Sequence, residues 1–298
     1  MMPDLPATEV GTIPASVVIP ACNEELTIGR TLRSMLAASE PGELEIIVVC
    51  NGCADDTAAV ARSVAPEITV RELAVASKVA ALNEGDRLAT RFPRLYVDAD
   101  IEIGIDAMRA VIACLAEERA LCAAPEPHYE CSLSSWAVRR YFEIWECLPY
   151  FRHAPMVGVY GLSQRGRARF RLFPELIADD QFVQRHFDGT ERRVLRGYSF
   201  RARPPRDVRS LVRTRTRHYR GNRQLASSGL VTSAPATGVP AGLTLLARDP
   251  ANWAAIATYM SISLVAKALA RRPGRVWERD ESSRSGPSAN GIGAASTS

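Results

Sequence analysis

An α/β fold with a mostly parallel, doubly wound sheet is predicted by two features of the chain. Short β-branched runs alternate with amphipathic segments up to residue 97, and polar clusters fall directly after the ends of those runs. Residues 16–20 (SVVIP) make a first buried strand that stops at proline. Residues 24–38 place Leu26, Ile28, Leu32, Met35 and Leu36 mostly on one face of a helix, which Pro41-Gly42 breaks. A second strand at 45–49 (EIIVV) runs into the turn Asn51-Gly52. Asp55 or Asp56 can cap a helix over 57–64. A strand at 68–73, a helix at 78–89 and a strand at 95–97 continue the alternation. In sheets of this kind ligands sit beyond the carboxyl ends of the strands. Residues 20–23, 50–54 and 98–100 all lie there, so the order of elements converges on one cleft.

Further along, Asp106 caps a predicted helix to 118, and 121–124 reads as a short strand. An aromatic-rich helix is expected over 132–147, a strand over 156–162 and a helix over 177–187. From 226 to 242 the composition shifts to Ser, Thr, Ala, Gly and Pro, the mark of a linker. Residues 251–266 are uncharged, and Lys267, Arg271 and Arg272 close the stretch. The expected layout is a flexible start at 1–14, one catalytic domain at 15–225, a linker at 226–245, a C-terminal helix within 246–272 and a disordered Ser/Gly-rich tail at 273–298.

The 298 residues are 47% hydrophobic and 23% charged, enough for a sizeable core, and the net charge of +4 is modest. Of 37 basic residues only Lys78 and Lys267 are lysines. The arginines concentrate between 192 and 223, where a basic strip suits phosphates or an anionic membrane surface. No feature points to nucleic acid. Seven cysteines lack a disulfide-framework spacing, and residues 1–10 lack the apolar core of a signal peptide, so a reducing cytoplasm is expected. The Cys50-Asn51-Gly52-Cys53 pair has no second pair at zinc-finger spacing. It ends a strand rather than opening a helix, which argues against redox chemistry.

The most telling segment is 95–101 (LYVDADI), an apolar run ending in two carboxylates spaced i, i+2. Magnesium-like cations prefer one or two carboxylates plus substrate phosphates to a full protein cage. The pattern therefore suggests a phosphorylated ligand held through metal. Four other segments agree with it. Residues 17–25 (VVIPACNEE) look like the opening VVIPAYNEE of family-2 glycosyltransferases, and 45–57 (EIIVVCNGCADDT) resemble that family's EIIVVDDGSTDDT. Residues 78–85 (KVAALNEG) are similar to its GKxxALNxG, Asp98-Ala99-Asp100 to its DxD, and 179–185 (DDQFVQR) to its ED…R helix. The likeness covers about residues 15–225 in order and in spacing.

The resemblance implies a GT-A fold, a nucleotide-sugar donor, a divalent cation (Mg²⁺ or Mn²⁺) and inversion at the anomeric carbon. Carried over position by position, it implies donor binding by Pro20, Asn23, Glu25, Asn51, Lys78 and Asp98, metal binding by Asp100, and proton abstraction by Asp180 with Asp179 as competitor. Gly161 and Ser163 would help to shape the acceptor pocket. Arg217 or Arg220, in a stretch that loosely resembles the QxxRW motif of processive synthases, would contact the diphosphate. The missing Trp of that motif argues against a polymerising synthase. The acid that usually meets the nucleobase is also missing, because Cys50-Asn51 replaces Asp-Asp; a UDP-sugar leads, with GDP and dTDP as alternatives.

A saccharide, a small molecule or a lipid-linked molecule would serve as acceptor. Trp136 or Trp145 is a candidate wall for its pocket, yet an aromatic stripe on a helix is more often core. His153, His186 and His218 share no metal-ligand spacing and read as core or solvated. At 16 residues, 251–266 falls short of the roughly 20 needed to cross a bilayer. With Trp253, Tyr259 and flanking cations it reads either as a helix resting on the inner face of the plasma membrane or as one docked on the domain itself. Two rival functions remain: a non-catalytic nucleotide-sugar binder, and a nucleotidyltransferase, whose Gly-rich phosphate loop residues 20–23 do not supply.

Overall fold

A computed structural model describes residues 13–148, 157–230 and 239–272. The expected tail, nearly all of the expected flexible start, and His153 lie outside them. The predicted alternation is present as β1 (Ala15–Ala21), α1 (Ile28–Leu36), β2 (Leu44–Asn51), α2 (Thr57–Val64), β3 (Thr69–Leu73), α3 (Lys78–Leu88) and β4 (Arg94–Val97). The four strands are parallel, in the order β3-β2-β1-β4. β1 and the second half of β2 are buried throughout, as expected of strands covered on both faces. Alternate residues feed two cores. Val17, Ile19, Ile46 and Val48 pack with α1, α2 and the later helix Ile105–Ala116, whereas Val18, Ile47 and Val49 pack with α3.

The second half departs from a simple doubly wound sheet. It comprises β5 (Glu102–Ile103), α4 (Ile105–Ala116), β6 (Cys122–Tyr129), α5 (Trp136–Cys147), β7 (Val159–Leu162), α6 (Gln164–Arg167), α7 (Asp179–Gln184), β8 (Arg192–Ala202) and α8 (Val208–Ser227). β7 inserts antiparallel between β4 and β6, β8 runs parallel to β6, and β5 closes the edge antiparallel to β8. The result is one mixed sheet of eight strands. Neither β8 nor the 20-residue α8 is visible in the sequence pattern, because arginines occupy positions where a periodic apolar signal would be read.

The expected linker is partly helical, as α9 (Val239–Leu246), and a 3₁₀ turn at Pro250–Asn252 leads into α10 (Trp253–Ala270). α10 docks on the domain. Its residues Ala255, Tyr259 and Ile262 join Tyr141, Phe142 and Trp145 of α5 and Leu211 of α8 in a third core. Arg223 donates to the carbonyl of Ala270 at 2.9 Å and Arg220 to that of Leu269 at 3.4 Å, so α8 satisfies the carbonyls that the helix end leaves open.

Beneath the sheet's second face lies a buried charge cluster. Asp86 of α3 is ion-paired with Arg94 and Arg167, receives the Tyr96 hydroxyl at 2.7 Å and accepts from Arg167 Nε at 2.6 Å. Burial works against its charge, but the hydrogen bonds from Arg167, Tyr96 and Arg94 outweigh that and hold its carboxyl below the ordinary aspartate value.

Candidate active site at the strand ends

One cavity opens where the sequence reading placed the cleft. Pro20 from β1, Lys78 from α3 and Asp98 from the end of β4 line one side. Tyr160 of β7 and Asp179 and Asp180 of α7 form its floor and wall, and Trp145, Arg215, Arg217, His218 and Asn222 from α5 and α8 close it. The local reasons are legible. Asp98 follows the last residue of β4, where the chain leaves the sheet and turns, so its side chain meets the cleft. Asp179 and Asp180 occupy the first turn of α7, where carboxylates favour the positive end of a helix.

Lys78 sits at the first position of α3, where a cation opposes the helix dipole. It is held there by carboxylates: its Nζ lies 2.8 Å from Asp98 and 3.1 Å from Asp179. Burial alone would depress the ammonium, yet Asp179 and Asp98 outweigh it and raise Lys78 above its ordinary value. Asp180 is half-buried and has no such cation within ion-pair distance among the described residues. Burial first, and then the neighbouring Asp179 carboxylate, push it up to about 7, with Lys78 offsetting part of the rise. His218 moves the other way. Burial and the cations Arg215, Arg217 and Lys78 drive it well below the ordinary histidine value, so its imidazole is neutral.

The loops flanking this cavity brace one another. Asn23 adopts a left-handed backbone (φ 52°), a conformation asparagine tolerates, and its Oδ1 accepts from Ala54 N at 2.8 Å. Glu25 accepts from Asp56 N at 3.2 Å and donates its own N–H to Asp55 at the same distance. Gly52 turns the chain at φ +60°, and a Cβ there would lie 2.6 Å from that of Ala76. Asn51 is buried, with Nδ2 donating to Ala21 O at 2.8 Å and Oδ1 lacking a partner. Asn23, Glu25 and Asn51 therefore brace the loops beside the cavity rather than line it. Cys50 is a buried thiol pushed up to about 12, by burial first and then by Cys53, which removes the thiolate that redox chemistry needs.

Three further expected residues do not line this cavity. Gly161 faces away from the cavity: a Cβ on it would come within 2.8 Å of Leu115 and Val111 of α4. Side chains alternate along β7, so its neighbour Tyr160 faces the site instead. Ser163 is buried and caps α6 through Gly166 N at 3.0 Å. Arg220 is spent on α10, while Arg217 does line the cavity. Conversely, the sequence pattern does not mark His218, Arg215 or Asn222 as site residues, yet all three line the cavity. Trp145 lines it as well, whereas Trp136 is exposed beneath Arg140. His186 is half-buried, packed against Phe170 and Phe182.

Asp100 is half-buried in the turn that follows Asp98. Among the described residues no three His, Cys, Asp or Glu side chains gather as a metal cage. Two hard oxygen donors on one turn fit Mg²⁺ or Mn²⁺ completed by substrate phosphate and water, and do not fit a structural zinc site.

A parallel half-sheet extended by antiparallel strands, with acids around the strand-end cleft and a helix closing it, is a GT-A type of architecture. Residues 16–174 match the model of glycosyl transferase family 2, and the chain belongs to that family; it is a glycosyltransferase. No curated protein sequence matches it. Among solved structures it is similar to the mannosyltransferase PcManGT from Pyrobaculum calidifontis, determined with GDP-Man and Mn²⁺. That match has a TM-score of 0.57 and 18% identity, over 87% of this chain and 78% of the other. It is also similar to S. aureus TarS 1-349 with UDP, at TM-score 0.50 and 16% identity, over 86% of this chain and 90% of the other. At such identities the likeness speaks to the fold alone.

Proposed function

We propose that this chain transfers a sugar from a nucleoside-diphosphate sugar to an acceptor hydroxyl with inversion, and that Asp180 is the base. The observation that carries the reading is the contrast between the paired acids. Asp179 is tied to Lys78, whereas Asp180 stands on the cavity wall with its proton affinity raised towards neutral pH. A general base is most effective when its pKa lies near the working pH. The neutral His218 is a poorer base, because the surrounding cations oppose its protonation.

One available carboxylate suits a single displacement, in which the acceptor oxygen attacks the face opposite the diphosphate as Asp180 takes its proton. Asp100, with Asp98, would hold the divalent cation, which when bound supplies positive charge to the departing diphosphate. Arg217 adds a second positive contact from α8, and Lys78 keeps Asp98 and Asp179 in place. The structural neighbour holding GDP-Man and Mn²⁺ supports a nucleotide-sugar donor and a divalent metal. A UDP-sugar stays the first candidate by family resemblance, with GDP and dTDP next.

Donor binding is tested by thermal stabilisation with UDP-, GDP- and dTDP-sugars, with and without Mn²⁺, on wild type and Asp100→Ala. A ligand at 100 times its Kd adds about 2.7 kcal/mol of stability. At roughly 2–4 °C per kcal/mol for a domain of this size, that is a rise of about 5–10 °C. The expected result is a metal-dependent shift with one nucleotide that Asp100→Ala abolishes; no shift with any of them removes the donor-site reading.

The pH profile makes a separate prediction. Asp180 must be ionised to accept a proton, and its raised pKa means that it ionises only above about 7 in the free enzyme. Accordingly kcat/KM should rise with pH through about 7 and level off above it. A profile flat from pH 5 to 8 would exclude Asp180 as the base.

A further inference from the structure

We infer that α10 seats the protein on an anionic lipid surface, independently of the reading of the sugar site. Surface helices of globular proteins are polar on the face turned to water. α10 is not. Its buried face (Ala255, Tyr259, Ile262, Ser263, Ala266, Ala270) rests on α5 and α8, yet the opposite face is also largely apolar. Trp253 is 62% exposed, Met260 39%, Leu264 59% and Val265 50%, and Ala254, Ala257 and Ala268 fill the same side, interrupted by the small hydroxyl of Ser261. From Pro250 to Ala270 the mean hydropathy reaches 1.4, with one third buried. A stripe of this kind left in water marks an interaction surface.

Charge decides what covers it. Arg248, Arg271 and Arg272 flank the stripe, exposed and without an ion pair among the described residues, and the exposed Lys267 lies with its ammonium 5.5 Å from the centre of the Tyr219 ring of α8. No acid lies on α10 itself. The nearest acid in sequence, Asp249, caps the 3₁₀ turn through Ala251 N at 3.0 Å. An apolar stripe with a cationic rim and a tryptophan at one end is the arrangement of a helix lying in the headgroup region of an anionic bilayer. A second copy of this chain suits it poorly. A two-fold pairing applies the same patch to itself and, with helices antiparallel, would bring Arg271 and Arg272 of one copy towards Arg248 of the other. Docking along both α5 and α8 also argues against α10 crossing the bilayer, since a spanning helix would have to leave that bed.

The test is co-sedimentation of the full chain with vesicles of phosphatidylcholine alone and with about 30% phosphatidylglycerol, an anionic content that gives the surface its negative potential. The compared proteins are wild type, Met260→Glu/Leu264→Glu and Arg271→Glu/Arg272→Glu, with melting curves to verify folding. Wild type should bind the anionic vesicles, more weakly at high salt, and bind phosphatidylcholine far less. The charge-reversed protein should lose about tenfold or more in affinity, since each cation near the surface matters. The glutamate pair on the stripe should lose at least as much. Failure of the folded wild type to bind anionic vesicles would overturn the inference. So would binding indifferent to Met260→Glu/Leu264→Glu, or a dimer in light scattering that those substitutions dissolve while vesicle binding is unchanged.

Discussion

Replacing Asp180 with asparagine should lower turnover by about 10²–10⁴-fold while nucleotide binding survives. The size follows from what general-base catalysis contributes in enzymes. The selectivity follows from the geometry. The asparagine can keep the local bond in which Asp180 Oδ1 accepts from Gln181 N at 2.7 Å, so α7 loses nothing at its first turn. Lys78 keeps both of its partners, Asp98 and Asp179, so the donor side is undisturbed. What is removed is proton acceptance, together with the weakest of the three carboxylate influences on Lys78. The variant should melt close to wild type, retain the nucleotide-induced shift, and show no rise of kcat/KM through pH 7. Asp179→Asn makes the informative contrast. It weakens one of the two contacts that hold Lys78, so it should impair nucleotide binding as well as turnover. A non-catalytic binder of nucleotide sugars would be indifferent to Asp180→Asn, and that outcome would remove the proposed chemistry while leaving the binding site intact.

The side of the cavity built by β1, α3 and β4 was legible because local rules write it. A buried strand must end before a polar residue can face the cleft, so Asp98 announces itself at the end of an apolar run, whereas Asn51, at the end of another, stays buried and holds Ala21 O. Lys78 and the Asp179-Asp180 pair are recognisable at helix starts. Nothing in the spacing says that Lys78 bridges Asp98 and Asp179, which are distant in sequence and meet only in the folded chain. The α8 wall was illegible for another reason. Its few buried positions, among them Leu211, Thr216, Gly221 and Leu225, include small and polar residues, so no amphipathic stripe reveals the helix. Gly221 explains how the wall reaches the acids: a Cβ there would lie 3.0 Å from that of Ala178, so the absent side chain lets α8 approach the start of α7. His218 enters the cavity as a consequence of that contact. Gly161 turns away from the cavity while Tyr160 lines it, since in a strand adjacent residues look to opposite sides.

The largest effect on stability is expected from Asp86→Ala. Asp86 meets Arg94, Arg167 and the Tyr96 hydroxyl together, and the two arginines are almost wholly buried. Some guanidinium contacts would survive its loss. Arg94 still reaches Ala89 O at 2.9 Å, and Arg167 still reaches Phe170 O and Arg171 O at 2.6 and 2.9 Å. These satisfy donors but not charge. Removing one partner of a buried ion pair costs about 3–5 kcal/mol because the remaining charge stays out of water. Here two cations are left, and at roughly 2–4 °C per kcal/mol the melting point should fall by on the order of 10 °C. Asp86→Asn, which keeps hydrogen-bond acceptors in place, should fall less. The sign of the pH dependence is fixed as well. Asp86 titrates below its ordinary value of 3.8, so its contribution is fully present above that value and is lost as pH falls through the lower folded value. The gap between wild type and Asp86→Ala should therefore be widest near neutrality and narrow in acid. The site should register the change too, because Tyr96 stacks on Tyr160 with ring centres 5.0 Å apart, and Tyr160 lines the cavity with Asp179 and Asp180. A melting point within about 2 °C of wild type, less than 1 kcal/mol for a domain of this size, would mean that Arg94 and Arg167 find their compensation elsewhere, and would remove this cluster from the account of what holds the floor of the site.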